Sequence, residues 1–532
     1  MILTTARQMK ELDRQTIQEF GLPGLVLMEN AARGAVQVIL SQYPQARSIA
    51  VFCGKGNNGG DGLAMARYFH SLGLKVTIYL TGPKTGLKGD AAFQVLLTEK
   101  QNIPLVELNE ETNLSALKPE VFHSDLLIDA LLGTGIEKEV QGLFRNLIAF
   151  INKIPIPVMA VDIPSGLSSD SGRPHGLCIK ADLTITFGLP KVGQILFPGC
   201  RFVGRLFVVD IGLPSAFWPA PEDRAELLEA GLLSPWLPER DHEGHKGTYG
   251  HGLVLAGSKG KTGAAALTCL GALRAGAGLV TLGIPESLNP IMEIKLTEAM
   301  TEPLPEGEPG HLGLKALDRI VALLEGKKGL AIGPGLSTSA GTKALVVSLL
   351  KKSITLPMVI DADGLNILAE SPEVFPTLSG RAILTPHPGE MSRLTGQPVQ
   401  EIQANRIQTA RSFSRNSGLV VVLKGARTVI ADPRGPVYLN PVAHSVLASG
   451  GSGDILTGLI LGFLSQGLSP IQSACLGVFL HGQAGVWLAG ERGGQGILAS
   501  ELLEKIPSLI ARKGYWDHPE REALPMIREV KL

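Results

Sequence analysis

Ser449-Gly450-Gly451-Ser452-Gly453-Asp454-Ile455-Leu456-Thr457-Gly458 places a glycine- and serine-rich loop directly before an apolar run, Ile455 to Leu464, that reads as a helix. A glycine loop opening a helix leaves several backbone N–H groups free and aimed one way, with the positive end of the helix dipole behind them. That is an anion site. Asp454 falls in the first turn, where a carboxylate is expected to stay ionised. A carboxylate beside a phosphate cradle has a use if it takes a proton from a hydroxyl that attacks a phosphoryl group. The alternative is that Ser452 or Asp454 simply caps a buried helix and the glycines permit tight packing.

Working outward, residues from about 246 to 513 alternate short apolar runs with helical segments. Strands are expected at Gly252–Ala256, Leu279–Gly283, Gly329–Ile332, Met358–Asp361, Ala382–Leu384, Leu419–Leu423 and Thr428–Ala431. Helices are expected from Ala264 and over 338–351, 399–416, 453–466, 470–488 and 498–511. Such alternation predicts an α/β domain with a mostly parallel sheet. Its strand ends carry Gly333-Pro334-Gly335, Asp361-Ala362-Asp363-Gly364-Leu365-Asn366, Thr385-Pro386-His387-Pro388-Gly389-Glu390 and Lys424-Gly425-Ala426-Arg427-Thr428. His387, between two prolines, sits in a stiff turn and reads as a binding residue before a base. Lys424 at a strand end is placed to meet a phosphate or to be a solvated turn lysine. Gly260-Lys261-Thr262 resembles the close of a Walker A loop, but its spacing from Gly257 is too short, and that reading is rejected.

The first 215 residues repeat the pattern. Strands are expected at Ser48–Cys53, Lys75–Leu80, Asp125–Leu131, Pro157–Asp162, Leu183–Phe187 and Leu206–Asp210, with helices near 5–20, 31–40, 60–72, 88–100 and 141–152. This predicts a doubly wound parallel sheet whose ligands lie at the carboxyl ends of the strands. Three loops fall there: Gly54-Lys55-Gly56-Asn57-Asn58-Gly59-Gly60-Asp61-Gly62, Asp129-Ala130-Leu131-Leu132-Gly133-Thr134-Gly135, and Val161-Asp162-Ile163-Pro164-Ser165-Gly166-Leu167. Each alone is ordinary turn chemistry; three on one rim argue for a binding site. Asn58, Asp129 and Ser165 can jointly coordinate a hard cation through oxygen, and so few carboxylates suit a monovalent ion better than a transition metal.

Bulk properties bound the rest. The 532 residues exceed one ordinary domain, and 44% apolar content is ample for real cores. Lys+Arg and Asp+Glu balance at 49 each, so charge argues for neither nucleic acid nor a membrane surface. Five scattered cysteines without a C-x-x-C point to reduced thiols and a cytoplasmic setting. Early charges (Arg7, Lys10, Glu11, Asp13, Arg14) argue against a signal peptide, and no 18-residue apolar stretch suggests a membrane span. A proline cluster (Pro214, Pro219, Pro221, Pro235, Pro238) marks a linker over 216–245, with a short helix possible within Leu227 to Leu233, and 514–532 reads as a charged surface tail. A homo-oligomer is expected.

The first three loops, with Leu27-Met28-Glu29-Asn30-Ala31-Ala32, resemble the YjeF family N-terminal domain, the NAD(P)H-hydrate epimerases; Ala32 stands where Gly is usual. The resemblance implies that Asn57, Asn58, Gly59, Gly60 and Asp61, and Gly133, Thr134, Gly135, Ile136, Glu137, Lys138 and Glu139, bind the substrate. It implies that Asp162 contacts the substrate as acid/base, and that Asn58, Asp129 and Ser165 hold K+. The later motifs resemble the ribokinase-like superfamily and, within it, the ADP/ATP-dependent NAD(P)H-hydrate dehydratases. Ala264, Gly335 and His387 would bind the hydrate, Lys424 to Thr428 (Lys424, Gly425, Ala426, Arg427, Thr428) and Gly453 the nucleotide, and Asp454 the reacting hydroxyl, with Mg2+ accompanying ADP or ATP. Two departures stand out: Asn440-Pro441-Val442-Ala443-His444 replaces N-T-G-N, and Ser337 ends G-P-G-L-G. The implied function is repair of hydrated NADH and NADPH by epimerisation followed by dehydration. The rivals are a ribokinase-type small-molecule kinase with a regulatory N-terminal module, and a non-catalytic N-terminal scaffold.

Overall fold

A computed structural model describes residues 1–352, 354–512 and 526–531. Two compact units result: one spans Ile2–Ala220 and takes in the chain's final strand, and the other begins at Pro221.

In the N-terminal unit the continuous apolar runs become strands buried on both faces. Edge to edge the sheet runs Ile527–Val530, Arg205–Val209, Leu183–Phe187, Val158–Val161, Leu126–Ala130, Ser48–Cys53, Lys75–Thr81 and Leu105–Leu108. All neighbours are parallel except the first pair. The doubly wound reading holds, and the helices fall where the alternation put them, at Ala6–Gln18, Gly24–Gln42, Asn57–Ser71, Gly89–Lys100 and Gly142–Ile151. The parallel order puts the carboxyl ends of Ser48–Cys53, Leu126–Ala130 and Val158–Val161 on one rim.

The second unit orders its strands Ala225–Leu227, Val437–Leu439, Val429–Ala431, Val420–Leu423, Ala382–Leu384, Met358–Ile360, Gly329–Ile332, His251–Leu255, Leu279–Pro285 and Met300–Leu304. The hairpin strands from Val420 to Leu439 are antiparallel, and the others pair in parallel. Helix Ser452–Ser465 lies across helix Thr262–Arg274 through small residues. A Cβ on Gly458 would stand 2.2 Å from the carbonyl of Thr268, and one on Gly462 2.6 Å from that of Ala272. Only glycine allows so close an approach.

Three expectations are corrected. The segment 216–245 is not a free linker: Ala225–Leu227 is a strand paired with Val437–Leu439, and Ala225, Leu227, Leu228, Ala230 and Leu233 are buried. It carries too few residues for a sequence period to reveal it. The tail is not wholly a surface extension, because Ile527–Val530 adds an antiparallel edge strand to Arg205–Val209, with Arg205 paired to Glu529; residues 513–525 of that call lie outside the described residues. The helix expected over 399–416 breaks at Asn405 (φ −131°, ψ 43°) into Val399–Ala404 and Arg406–Ser417.

Val530 is 5% exposed opposite Leu206. Val530→Asp buries a carboxylate without a partner and should cost about 2–4 kcal/mol locally. Amide exchange across Arg205–Val209 should then accelerate at least about tenfold; unchanged exchange would show the strand to be dispensable.

Candidate active sites

In the N-terminal unit glycines bring the rim loops, and the helices behind them, into close contact. A Cβ on Gly54 would meet the Leu131 carbonyl at 1.9 Å, one on Gly60 the Met28 methyl at 2.6 Å, and one on Gly133 the Asn58 Cβ at 3.3 Å. The rim thus gathers Asn58, Gly133, Asp129 and Ser165. Asp129 is fully buried; its Oδ1 accepts from the Ser165 hydroxyl at 2.6 Å and its Oδ2 from the Ser165 amide at 2.8 Å. Burial pushes the Asp129 carboxyl up to about 6, against the pull of the Ser165 hydroxyl and amide. Both Asn58 side-chain polar atoms are buried without a partner among the described residues. A buried amide oxygen without a partner can serve as a ligand for a cation.

Asp162 ends its strand with φ +63°, a left-handed conformation costly for a non-glycine residue. Its Oδ1 is ion-paired with Lys191 and accepts from Thr186 Oγ1 at 3.1 Å and Phe187 N at 3.3 Å, while Gln194 Nε2 donates to its carbonyl at 2.7 Å. Asp61 joins this group electrostatically: burial, then Asp162 and Asp13, raise its carboxyl well above the usual range. Glu137, Lys138 and Glu139 are exposed, and Asn57 also faces solvent. Glu29 of the L-M-E-N-A stretch works structurally: its carboxylate accepts from Arg67 at 2.6 Å, Tyr68 at 2.6 Å and Gln94 at 2.8 Å, joining three helices.

In the second unit the glycine loop behaves as an open helix end. Gly451, the residue before the helix, has φ +92°, and no side chain caps it. Ser452 points elsewhere, its Oγ 2.9 Å from Nε2 of buried His481, an imidazole that burial pushes down to about 4 and so keeps neutral. Neither Ser452 nor Asp454 serves as the cap, which removes the bland explanation for both. The Asp454 carboxyl is lifted to about 6 by burial and by neighbouring Asp361, with Lys424 opposing. It is therefore ionised at neutral pH but less acidic than its place in a helix's first turn suggests.

Lys424 is not a solvated turn lysine. Its Nζ lies 2.7 Å from Asp361 Oδ1 and 3.9 Å from Glu390 Oε2, and a Cβ on Gly453 would stand 3.5 Å from it. Asp361, 1% exposed, also accepts from Thr457 Oγ1 at 2.7 Å and from the Ala362 amide at 2.9 Å. The Lys424 amide donates to the Pro386 carbonyl at 2.8 Å, which seats the L-K-G loop against the T-P-H-P turn. His387 caps its own helix, Nδ1 accepting from Gly389 at 3.0 Å and Glu390 at 3.3 Å, and burial lowers its pKa further. Both agree with binding by a neutral ring rather than proton transfer. Gly335 and Ala264 meet: a Cβ on Gly335 (φ +61°) would lie 3.1 Å from the Ala264 Cβ. Lys261 donates to Asp363 at 2.9 Å. Ser337 holds φ +78°, the conformation that glycine adopts without strain. The backbone of Gly425 lies against the guanidinium of Arg406, 2.9 Å from where a Cβ would be, and Arg427 is buried. Sequence reasoning passed over Asp361, Glu390 and Thr457 as site residues, although each stands within a quoted motif; it had no signal for Lys191, Gln194 or His481.

Carboxylates beside glycine loops, on the rims of two α/β sheets, are equipment that enzymes use. Comparison with known proteins carries this further. Residues 252–508 match the family model described as NAD(P)H-hydrate dehydratase, and residues 24–193 the model described as YjeF-related protein N-terminus. Bifunctional NAD(P)H-hydrate repair enzyme Nnr of Moorella thermoacetica is 43% identical over 96% of this chain and 97% of its own length, and that of Escherichia coli 36% identical over 94% and 92%. A solved structure, the ADP/ATP-dependent NAD(P)H-hydrate dehydratase of Bacillus subtilis co-crystallised with ATP/Mg2+, is 35% identical over 54% of this chain and 98% of its own, with a TM-score of 0.47. The chain belongs to the family of bifunctional NAD(P)H-hydrate repair enzymes. The kinase-with-regulatory-module reading is not favoured by these full-length matches. No helix among the described residues is long and apolar enough to cross a membrane.

Thr457→Val leaves one oxygen of a buried carboxylate without its donor at nearly unchanged volume. The second unit should lose about 1–3 kcal/mol in denaturant unfolding, and Thr457→Ser should restore most of it. Equal stability of all three proteins would remove Asp361 from its central place.

Proposed function

We propose that the N-terminal unit interconverts the R and S hydrates of NADH and NADPH, and that the second unit dehydrates the S hydrate with ADP or ATP. The observation that carries the reading is the uncapped, glycine-opened start of helix Ser452–Ser465 with the Asp454 carboxyl beside it.

Water on a dihydronicotinamide leaves a hydroxyl on the carbon next to the ring nitrogen, where the intermediate cation is best stabilised. Hydroxide leaves poorly. Asp454 takes the proton of that hydroxyl as the hydroxyl oxygen attacks the terminal phosphoryl group of the nucleotide, whose bond to the remaining nucleotide breaks, the shortened nucleotide leaving with that electron pair; phosphate then departs with the C–O electrons, and loss of a proton from the adjacent carbon restores the double bond. The free amides at the helix start, including Gly453, and the helix dipole stabilise charge on the transferring group. Ala264, Gly335 and His387 hold the hydrate; Lys424 to Thr428 (Lys424, Gly425, Ala426, Arg427 and Thr428) border the nucleotide. Mg2+ travels with the nucleotide phosphates and neutralises their charge.

In the N-terminal unit Asp162 takes the hydroxyl proton. The carbon–nitrogen bond opens to a carbonyl, its electrons passing to nitrogen and the conjugated carboxamide. Closure on the other face returns the proton and inverts the centre. Asn58, Gly59, Gly60, Asp61 and Gly133 line the approach. Asn58, Asp129 and Ser165 suit K+, because the Asn58 oxygen is buried without a partner among the described residues and Asp129 is a buried carboxylate bonded to Ser165; the ion would supply a fixed positive charge there.

Recovery of NADH absorbance from a mixture of both hydrates, with nucleotide and Mg2+, tests the reading. Wild type should recover all of it. Asp454→Asn should slow recovery about 10²–10⁴-fold, while Asp162→Ala should leave the first phase and slow the second. No recovery by wild type overturns the proposal.

The working form of Asp454 is the carboxylate, and its carboxyl titrates at about 6. The nucleotide-dependent phase should therefore hold at neutral pH and fall as pH drops below about 6. A limb near 4 would mean that Asp454 does not set the rate.

A further inference from the structure

Lys191 is 1% exposed, and nothing in the reaction just described uses it. A buried ammonium is costly unless paired and fully hydrogen-bonded. Its three N–H groups meet three acceptors: Asp162 Oδ1, Thr186 Oγ1 at 2.8 Å and the Phe187 carbonyl at 3.2 Å. An ammonium so saturated has no donor left for a ligand and is not itself an acid for the substrate. It occupies Oδ1 of Asp162 together with Thr186 and Phe187 N. Oδ2 is thereby the carboxylate oxygen without a bond among the described residues. Gln194, from the short helix that Lys191 precedes, fixes the Asp162 carbonyl, and the positive φ of Asp162 turns the side chain away from the strand's own course.

Other charged groups face the same spot. Asp13 comes from helix Ala6–Gln18 and Asp61 from helix Asn57–Ser71, and both interact electrostatically with Asp162 and Lys191. Three carboxyls thus share one ammonium. Burial pushes Asp13 up to about 6, with Lys191 opposing and Asp162 adding, and pushes Asp61 well above the usual range. The direct ion pair goes to Asp162 alone.

We propose that Lys191 is the positioning residue of the N-terminal unit: by pairing with Oδ1 it selects Asp162, of three neighbouring carboxyls, as the ionised one and leaves Oδ2 to meet the substrate. This rests on Asp162 being the base of the epimerisation. Without the ammonium, Asp162 loses the positive charge that favours its ionised form, so its carboxyl would hold a proton to higher pH.

The test follows interconversion of one purified hydrate epimer without nucleotide, so that the dehydratase is silent, from pH 5 to 9, in the full chain. Lys191→Met should be slow at neutral pH and recover as pH rises, its acid limb moved up by about one to three units. Adding nucleotide and Mg2+ should then dehydrate the S hydrate at the wild-type rate, which shows the second unit intact. Thr186→Val removes one bond to each partner while keeping the lysine; its acid limb should move the same way by less, and it provides the test if Lys191→Met fails to fold. Equal slowing at every pH, or an unshifted limb in both variants, overturns the proposal. Failure of wild type to interconvert the epimers would instead overturn the reading on which it rests.

Discussion

One buried carboxylate, Asp361, holds the second unit's site together. It ends a central strand, and its two oxygens take bonds from Lys424, sixty-three residues on, and from Thr457, ninety-six residues on. Burying a carboxylate is unfavourable unless such partners are present, so the three segments must come to one place or the charge goes unpaired. Once they do, the L-K-G loop, the D-A-D-G turn and the start of helix Ser452–Ser465 share one wall, and Asp454 lies within the field of Asp361 and Lys424.

The helix that carries Asp454 reaches this wall because glycine lets it. Gly458 and Gly462 bring it against helix Thr262–Arg274 at backbone distance, which sets the loop before Ala264 beside the loop before Asp454. The N-terminal unit uses the same two devices with different residues. Glycines at 54 and 133 let its loops touch, and buried Asp129 gathers Ser165 while Lys191 gathers Asp162. In both units a rim carboxylate sits beside a lysine ammonium and other carboxyls, and for Asp454 that balance, with burial, leaves a carboxyl pushed up to about 6.

The sequence carried much of this. Ser48–Cys53, Leu183–Phe187, Gly329–Ile332 and Ala382–Leu384 stand where the apolar runs placed them, because central parallel strands are buried on both faces and read as unbroken apolar stretches. The short strands Leu105–Leu108, Ala225–Leu227, Val437–Leu439 and Ile527–Val530 were missed, since three or four residues show no period and such a strand owes its existence to its neighbours. The glycine loops were legible because positive φ and close approach both demand glycine.

By itself the sequence determined the two α/β units, the loops at their strand ends, and Asp454 as a carboxylate to watch, for these depend on local periods and on residues a few places apart, while Asp162 stood out only through the family resemblance. Only the tertiary structure decided which partners those carboxylates have. Lys191, twenty-nine residues from Asp162, and Asp361, more than ninety from Asp454, carry no local signal of the pairing. A side chain's charge state is set by burial and by neighbours that the fold brings from elsewhere in the chain.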